Sequence, residues 1–320
     1  MQLKDSCSEE DEWMAAMRRG DFTRAWQITD VILQERIAAG GWCWHMPRHL
    51  QYVWTGAPLA GKRVLVRCYH GLGDTIQFIR FAAPLREIAR EVIVWVQPQL
   101  LTLVASAPGV DRVLPLHDSA PAAEYDVDIE VMELPHALRV AFETLLAEVP
   151  YLFPPAVPCL SLPSGFNVGI VWEAGGWDSR RAVPLHLLRP LRLIPHVHLH
   201  SLQCGPARFD ATHLTDSDIA CDDVLVAAAR MLQLDLVISV DTMAAHLAGA
   251  LGAPVWTLLH SGCDWRWMRG AQSVWYPTMR LFRQAVPGAW PQVIDEVCTV
   301  LRHTVNKRRS LSSVVDDTTA

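Results

Sequence analysis

One stretch in the second half of the chain constrains its fold more than any other. The segment LDLVISV, residues 234–240, is the clearest buried strand in the sequence, and it runs directly into Asp241 and Thr242. Helical periodicity follows over 243–250, and a further apolar strand over 255–259. A strand, a helix and a strand in this order predict an α/β protein with a parallel sheet.

The same alternation recurs on both sides of a proline-rich segment. Residues 150–163 contain five prolines, which exclude regular structure and indicate a domain boundary. We therefore expect two Rossmann-like doubly wound domains, 61–160 and 161–305, with the ligand beyond the carboxyl ends of the strands, in a cleft between the domains. The other strands are predicted at 63–68, 92–96, 112–115, 125–129, 167–172 and 198–203, and the other helices at 75–89, 100–105 and 222–232.

The first 60 residues predict a short helical extension. Residues 10–39 read as two helices, and Asp21 is placed to cap the second. The pair resembles one tetratricopeptide unit. Because a lone unit cannot bury its own apolar face, we expect it to pack on the main body or on a partner. A Trp-rich link completes the extension, 1–60, and the polar residues 306–320 are expected to form a disordered tail.

Composition excludes several classes of protein. Lys and Arg total 28 against 34 Asp and Glu, a net charge of −6, whereas proteins that bind a phosphate backbone are usually basic, so no nucleic-acid partner is expected. The acidic N-terminus lacks the apolar core of a signal peptide, and the longest apolar stretch, 247–259, is too short to span a membrane. The eight cysteines have neither zinc nor redox spacing. These features predict a cytoplasmic protein with reduced cysteines and no transmembrane segment.

Two junctions between a strand and a helix carry the residues suited to chemistry. In DTMAAH, residues 241–246, the start of a helix offers unpaired N–H groups to a phosphate, although an ordinary cap with a packed histidine explains the same residues. In HGLGD, residues 70–74, glycines let the backbone approach a ligand, and Asp74 is placed to take a proton from a hydroxyl. The turn lacks a third glycine and a downstream ribose-binding acid, which disfavours a nicotinamide dehydrogenase.

Two other groups of residues point to no site. His196, His198 and His200 alternate along a predicted strand as metal ligands do, but no acidic or cysteine partner accompanies them at ligand spacing. Cys263 lies outside any nucleophile motif. We expect neither a metal nor a cofactor.

Longer segments resemble a known family. The segments GKRVLVRCYHGLGDTIQFIRFAAPL, SLQCGPA, DLVISVDTMAAHLAGALGAPVW and LLHSGCDWRWMRG…SVWYPTMRLFRQ are similar to glycosyltransferase family 9, the ADP-heptose:lipopolysaccharide heptosyltransferase group, and in particular to the branch fused to tetratricopeptide repeats. The resemblance covers nearly everything from Leu50 to Leu301. It implies a GT-B fold and metal-independent, inverting transfer of a sugar from a nucleotide-sugar donor.

The resemblance also implies roles for individual residues. It makes Asp74 the general base and assigns Asp241, Thr242 and His246 to the diphosphate and ribose of the donor, with backbone N–H groups at Thr242 and Met243 on the leaving diphosphate. Arg181 supplies a cation, and Gln203 lies where the base or ribose is expected. The possible further members of the donor site are Gly71, Gly73, Arg180 and Trp265.

The chain also departs from the family pattern. A lysine common in relatives is missing where Trp177 stands, and Cys204 replaces another, so we expect Arg180 to substitute for one of the lost cations. A catalytically weakened nucleotide-sugar-binding scaffold and a sugar-nucleotide epimerase are the alternatives of other classes. The sugar, with heptose among the candidates, remains open, as do the acceptor (a glycan, a lipid-linked glycan or a protein) and peripheral membrane association.

Overall fold

The computed structural model describes residues 3–40, 43–145, 148–211 and 213–317, with side chains for 11–40, 43–145, 148–210 and 213–311. The chain divides into two compact units. Unit 1 comprises Met1–Pro154, Ala250–Gly252 and Asp264–Pro277, and unit 2 comprises Pro155–Gly249, Ala253–Cys263 and Thr278–Ala320. The boundary therefore falls six residues before the expected position at 160. Ala250–Gly252 and Asp264–Pro277, which were expected in the second domain, belong to unit 1. The N-terminal helical extension is also part of unit 1.

Both units alternate strands and helices. The strands are β1 (Arg63–Arg67), β2 (Glu91–Val96), β3 (Arg112–Pro115), β4 (Val127–Glu130), β5 (Phe166–Val171), β6 (Val197–Ser201), β7 (Ser217–Asp218), β8 (Leu236–Val240), β9 (Val255–Leu259) and β10 (Met279–Arg283). The helices are α1 (Leu3–Arg19), α2 (Phe22–Ala38), α3 (Leu72–Phe78), α4 (Ala82–Ile88), α5 (Leu101–Val104), α6 (Leu134–Ala137), α7 (Arg189–Arg192), α8 (Val224–Met231), α9 (Met243–Ala250) and α10 (Trp290–Asp317). None of the helices in these described ranges is long and apolar enough to cross a membrane.

Each unit is built on one parallel sheet. Sheet 1, in unit 1, has the strand order β3-β2-β1-β4, and sheet 2, in unit 2, has the order β10-β9-β8-β5-β6-β7. Their central strands are buried on both faces, as β8 shows along its whole length. The parallel α/β architecture predicted from the sequence is confirmed.

The segment predicted as one helix over 75–89 is two helices, α3 and α4, joined by a 3₁₀ turn at Ile79–Phe81. Pro84 explains the break, because in a continuous helix its ring would clash with the carbonyl four residues earlier, at Arg80. The guanidinium of Arg80 instead turns back, and its Nε donates to the carbonyl of Gln77 over 2.8 Å. The prediction of a single helix was wrong at this point.

The two N-terminal helices pack on the rest of unit 1. Asp21 caps α2, since its carboxylate accepts a hydrogen bond from the Arg24 N–H over 3.1 Å. The indole N–H of Trp26 donates to the Val140 carbonyl over 2.7 Å, and the Trp13 ring meets the Trp265 ring edge-on, with 5.4 Å between centroids. Of the two expected partners for the apolar face of this helix pair, the main body or another protein, the structure shows contacts with the main body.

The expected disordered tail is helical as far as it is described. Helix α10 continues through 306–317, and the last three residues of the expected tail, 318–320, lie outside the described residues. Arg308 pairs with Asp235 and lies over the Phe166 ring, with 5.4 Å between its Cζ and the ring centroid. This contact with sheet 2 holds a segment whose polar composition alone predicts no packing.

Candidate functional site

Ligands of open parallel sheets bind where the strand order reverses, because the loops after the two flanking strands diverge there. In sheet 1 the order reverses between β1 and β4, and in sheet 2 between β5 and β8. The residues that follow these four strands are therefore the first place to look for a site. The turn at 70–74 follows β1, and the junction at 241–243 follows β8.

Asp74 lies in the first turn of α3, where both of its carboxylate oxygens are engaged. Oδ2 accepts from the Gly71 N–H over 3.0 Å, and Oδ1 accepts from Nη2 of Arg266 over 2.8 Å. Gly71 precedes the helix and Gly73 lies in its first turn. The carboxylate expected to act as a base is therefore the capping group of a helix and one half of an ion pair.

Arg266 is buried and held from several sides. Its Nη1 donates to Asp264 over 2.8 Å, and its Cζ lies 4.7 Å from the Trp265 ring centroid and 5.3 Å from that of Phe78. Sequence reasoning gave Arg266 no role. No local signal identifies it, because its partner Asp74 lies 192 positions away in the chain.

His70 and Glu130 meet at the strand reversal of sheet 1. Nδ1 of His70 lies 3.0 Å from Oε1 of Glu130, whose side chain is 3% exposed, whereas the imidazole is 31% exposed. Burial alone would lower the pKa of His70, but the hydrogen bond and charge of Glu130, together with the charge of Asp74, outweigh it and raise the pKa above 6.5 despite Arg266. The sequence indicates His70 only as the start of the turn at 70–74, and it does not indicate Glu130.

In unit 2 the reversal brings together three of the expected donor residues. Nη1 of Arg181, from the loop after β5, donates to the Asp241 carbonyl over 3.0 Å. The Thr242 hydroxyl accepts from the Ala244 N–H over 3.3 Å and so caps α9. Arg181 also has a buried Nε that lacks a hydrogen-bond partner among the described residues. A buried orphan donor beside a helix start is an arrangement that an anion satisfies.

The other two residues of this junction differ in access. Met243, the first residue of α9, and Thr242 are half-buried. His246 is buried, at 6% exposure. Its position fits the packed histidine that the sequence left open as an alternative, one turn into the helix.

The loop between β5 and Arg181 carries a charged pair and an exposed ring. The Arg180 guanidinium donates to Asp178 over 2.7 Å, and this hydrogen bonding lowers the pKa of Asp178 to about 2. Nε2 of His260 lies 3.6 Å from the same carboxylate. Trp177 is 87% exposed. Arg180, which is expected to replace a lost lysine, therefore forms an ion pair with Asp178.

Two residues expected at the donor are engaged in the fold itself. The Gln203 amide joins the ends of two strands: Oε1 accepts from the N–H groups of Trp172 and Glu173 over 3.1 and 3.0 Å, and Nε2 donates to the Glu173 and Cys204 carbonyls. Trp265 belongs to unit 1, where its ring is 7% exposed. Both side chains are used in packing, which the family resemblance did not indicate.

Two of the three alternating histidines, His198 and His200, lie in β6 and have ordinary partners, whereas His196 precedes the strand. Nδ1 of His200 lies 2.7 Å from the Ser217 hydroxyl and Nε2 lies 2.9 Å from Oδ1 of Asn167, while Nε2 of His198 lies 3.2 Å from the Ser164 carbonyl. Across the part of the chain that the structure describes, no group of three or more His, Cys, Asp and Glu side chains is arranged to hold a metal ion.

Comparisons with known proteins give a fold and one curated relative. The chain is similar to a family 9 glycosyltransferase structure from Veillonella parvula, with a TM-score of 0.54 and 11% identity over 71% of this chain and 87% of that one. It is also similar to the E. coli heptosyltransferase WaaC with ADP, with a TM-score of 0.53 and 13% identity over 75% of this chain and 99% of that one. The chain therefore has the GT-B type of α/β fold, as the resemblance implied.

The curated relative is the protein FlbA of Caulobacter vibrioides, 25% identical over 295 residues. The match takes in 78% of this chain and 48% of FlbA, so the chain spans about half the length of this relative. No protein-family model matches the chain.

Proposed function

We propose that the protein is an inverting glycosyltransferase that moves a sugar from a nucleotide-sugar to a glycan, lipid-linked or protein acceptor. The observation that carries the proposal is the junction at the strand reversal of sheet 2. There Arg181, with its orphan Nε, lies against the carbonyl of Asp241, at the start of α9. The GT-B fold supports the same function.

Unit 2 would hold the donor. Its diphosphate gains negative charge as the bond to the sugar breaks, so groups that favour that charge lower the barrier. Arg181 contributes a full positive charge, and the N–H groups of Thr242 and Met243 contribute the partial charge of a helix start. In this proposal these groups supply the stabilisation without a metal ion.

Unit 1 would activate the acceptor through the turn after β1. The family resemblance gives the proton-accepting role to Asp74. In this proposal, a residue of the turn at 70–74, which ends in Asp74, accepts the proton. A carboxylate that already accepts from Arg266 must give up part of that ion pair to take a proton.

The nucleotide is the first property to test. WaaC has been solved with ADP and with an ADP-heptose analogue, which makes ADP-heptose the first donor to try here. Isothermal titration with ADP, UDP and GDP, followed by their sugars, measures the preference. We expect micromolar binding of one diphosphate, weakened at least tenfold by Arg181→Ala and unchanged by Arg189→Ala, an exposed arginine of the same unit.

Turnover completes the test. The donor that binds is incubated with lipid, glycan and protein fractions, and mass spectrometry follows the sugar while a coupled assay follows the release of nucleoside diphosphate. Transfer to one fraction is the expected result. Absence of binding to every nucleotide would overturn the proposal.

A nucleotide-sugar-binding scaffold is the second candidate. The pairing of Asp74 with Arg266 favours it, because one oxygen of this carboxylate accepts from the guanidinium and the other from the Gly71 N–H. Binding without transfer to any fraction or to water would establish the scaffold in place of the enzyme.

A further inference from the structure

The pair His70 and Glu130 has the geometry of a base with its orienting carboxylate. Glu130 follows β4 and His70 follows β1, the two strands that flank the reversal of sheet 1. Both oxygens of Glu130 accept backbone hydrogen bonds, Oε1 from Tyr69 over 3.3 Å and Oε2 from Met132 over 2.6 Å. The carboxylate is thus fixed in place, and because an ionised carboxylate only accepts hydrogen bonds, the contact favours the tautomer of His70 with the proton on Nδ1.

This arrangement determines the tautomer of the imidazole. When Nδ1 carries the proton, the neutral ring has its lone pair on Nε2. The ring is partly exposed while the carboxylate behind it is buried, so solvent reaches the imidazole and not its partner. Where a hydroxyl group reaches Nε2, this lone pair can accept its proton.

The backbone around His70 is held as firmly as its ring. The carbonyl of His70 accepts from Nε2 of Gln97 over 2.8 Å, and Oε1 of Gln97 accepts from the Thr75 hydroxyl over 3.0 Å. Thr75 lies in α3 and Gln97 directly follows β2, so two further elements of unit 1 fix the position of this one residue. Such preorganisation is what a general base requires.

Asp74 and His70 respond to a proton in opposite ways. Protonation of Asp74 would break its ion pair with Arg266. Protonation of His70 would instead place a positive charge beside Glu130 and near Asp74, both negative, with Arg266 as the opposing cation. The contacts favour His70 as the group that accepts the proton, because both oxygens of Asp74 already accept hydrogen bonds, whereas Glu130 engages only Nδ1 of the imidazole among the described residues.

We propose that His70, oriented by Glu130, accepts the proton of the acceptor hydroxyl, with Asp74 and Arg266 as positioning residues. The inference rests on the proposed function. The hydroxyl oxygen forms a bond to the anomeric carbon of the donor sugar, and the bond from that carbon to the diphosphate oxygen breaks. Its electron pair leaves with the nucleoside diphosphate. The hydroxyl proton passes to Nε2 of His70 and afterwards to solvent.

One test reads the imidazole directly and needs no acceptor. Long-range ¹H–¹⁵N spectra of histidine-labelled protein are expected to show the neutral His70 ring protonated on Nδ1, with a pKa above 6.5 that falls in Glu130→Gln. A ring protonated on Nε2, or a pKa unaffected by Glu130→Gln, would overturn the inference. His45→Gln, at an exposed histidine of the same unit, is the matched control and leaves both properties unchanged.

A second test measures turnover as the release of ADP from ADP-heptose, with water and with the acceptor fraction. His70→Gln is expected to lower kcat by 10²- to 10⁴-fold at unchanged donor KM, and Asp74→Asn by about tenfold or less. In Glu130→Gln the lower pKa of His70 is expected to move the acid limb of the profile of kcat against pH to lower pH. Wild-type turnover that survives in His70→Gln overturns this inference alone, whereas no turnover by the wild type overturns the proposed function with it.

Discussion

Arg266 Nη2 donates a hydrogen bond to Oδ1 of Asp74 over 2.8 Å, and the same guanidinium donates to Asp264. The arginine is also enclosed by the rings of Trp265 and Phe78. This contact ties the segment Asp264–Pro277 to the helix start after β1 within unit 1. Asp74 therefore stabilises the fold of unit 1, whether or not it also takes part in catalysis.

A double-mutant cycle measures the coupling free energy between Asp74 and Arg266. Arg266→Gln is expected to lower the free energy of unfolding of unit 1 by about 2–3 kcal/mol, because it leaves a partly buried carboxylate unpaired. Asp74→Asn should cost about 1 kcal/mol, and the double variant should cost less than the sum, as measured by urea unfolding. Arg112→Gln, which breaks the more exposed pair with Glu91, is the control and should cost less than 1 kcal/mol. Additive costs for Asp74 and Arg266 would contradict a direct coupling.

Much of the fold could be predicted from local patterns. The apolar run over 234–240 identifies β8, and helix α9 has the bounds that its periodicity predicts, 243–250. The short edge strand β7, of two residues, and the helical segment 306–317 could not be predicted, because contacts distant in sequence hold both. Arg308 reaches Asp235, a partner that no local pattern indicates.

In the candidate site, too, local motifs could be predicted from the sequence, whereas contacts between distant residues could not. Arg181 and Thr242 belong to motifs that are contiguous in sequence, and the structure brings them together at the start of α9. Glu130 lies 60 positions from His70, and only the strand order of sheet 1 makes them neighbours. Because strand order is a property of the whole sheet, the sequence indicated the turn but not the partner of its histidine.

The charged pair in the loop after β5 should control donor affinity. Asp178 engages Arg180 and also repels a diphosphate, so Asp178→Asn is expected to tighten ADP binding about threefold, while Arg180→Ala weakens it three- to tenfold. Isothermal titration at two salt concentrations checks both changes, and the effects should shrink at high salt. Equal affinities in all three proteins would remove Arg180 from the donor site.

Trp177 offers a second test in the same loop. Its ring is 87% exposed, so Trp177→Ala should change the free energy of unfolding by less than about 0.5 kcal/mol. If the ring stacks on the nucleotide base, the variant should bind ADP about tenfold more weakly, since such stacking is worth ~1–3 kcal/mol. Leu193→Ala, at a comparably exposed apolar residue before β6, is the control for both measurements. Unchanged ADP affinity in Trp177→Ala would leave the ring without a ligand role.

Glu133 makes the stability of unit 1 depend on pH. Burial raises the pKa of this carboxyl from 4.5 to about 7, although Oε2 accepts from the N–H groups of Glu130 and Trp54 over 3.0 and 3.3 Å. A folded-state pKa above the unfolded value means that the folded protein binds the proton more tightly. The stability that this group contributes is therefore complete below about pH 4.5 and is lost as the pH rises through 7.

Glu133→Gln removes this dependence, because a neutral amide keeps an oxygen for the two N–H donors and never ionises. We expect the variant to match the wild type near pH 4.5 and to exceed its free energy of unfolding at pH 8 by ~1–3 kcal/mol. Tm measured from pH 4.5 to 8.5 should show the two curves separating as the pH rises. Glu87→Gln, at an exposed glutamate of α4, should show no such separation. Parallel curves for Glu133→Gln and the wild type would mean that this carboxyl titrates at its unfolded value.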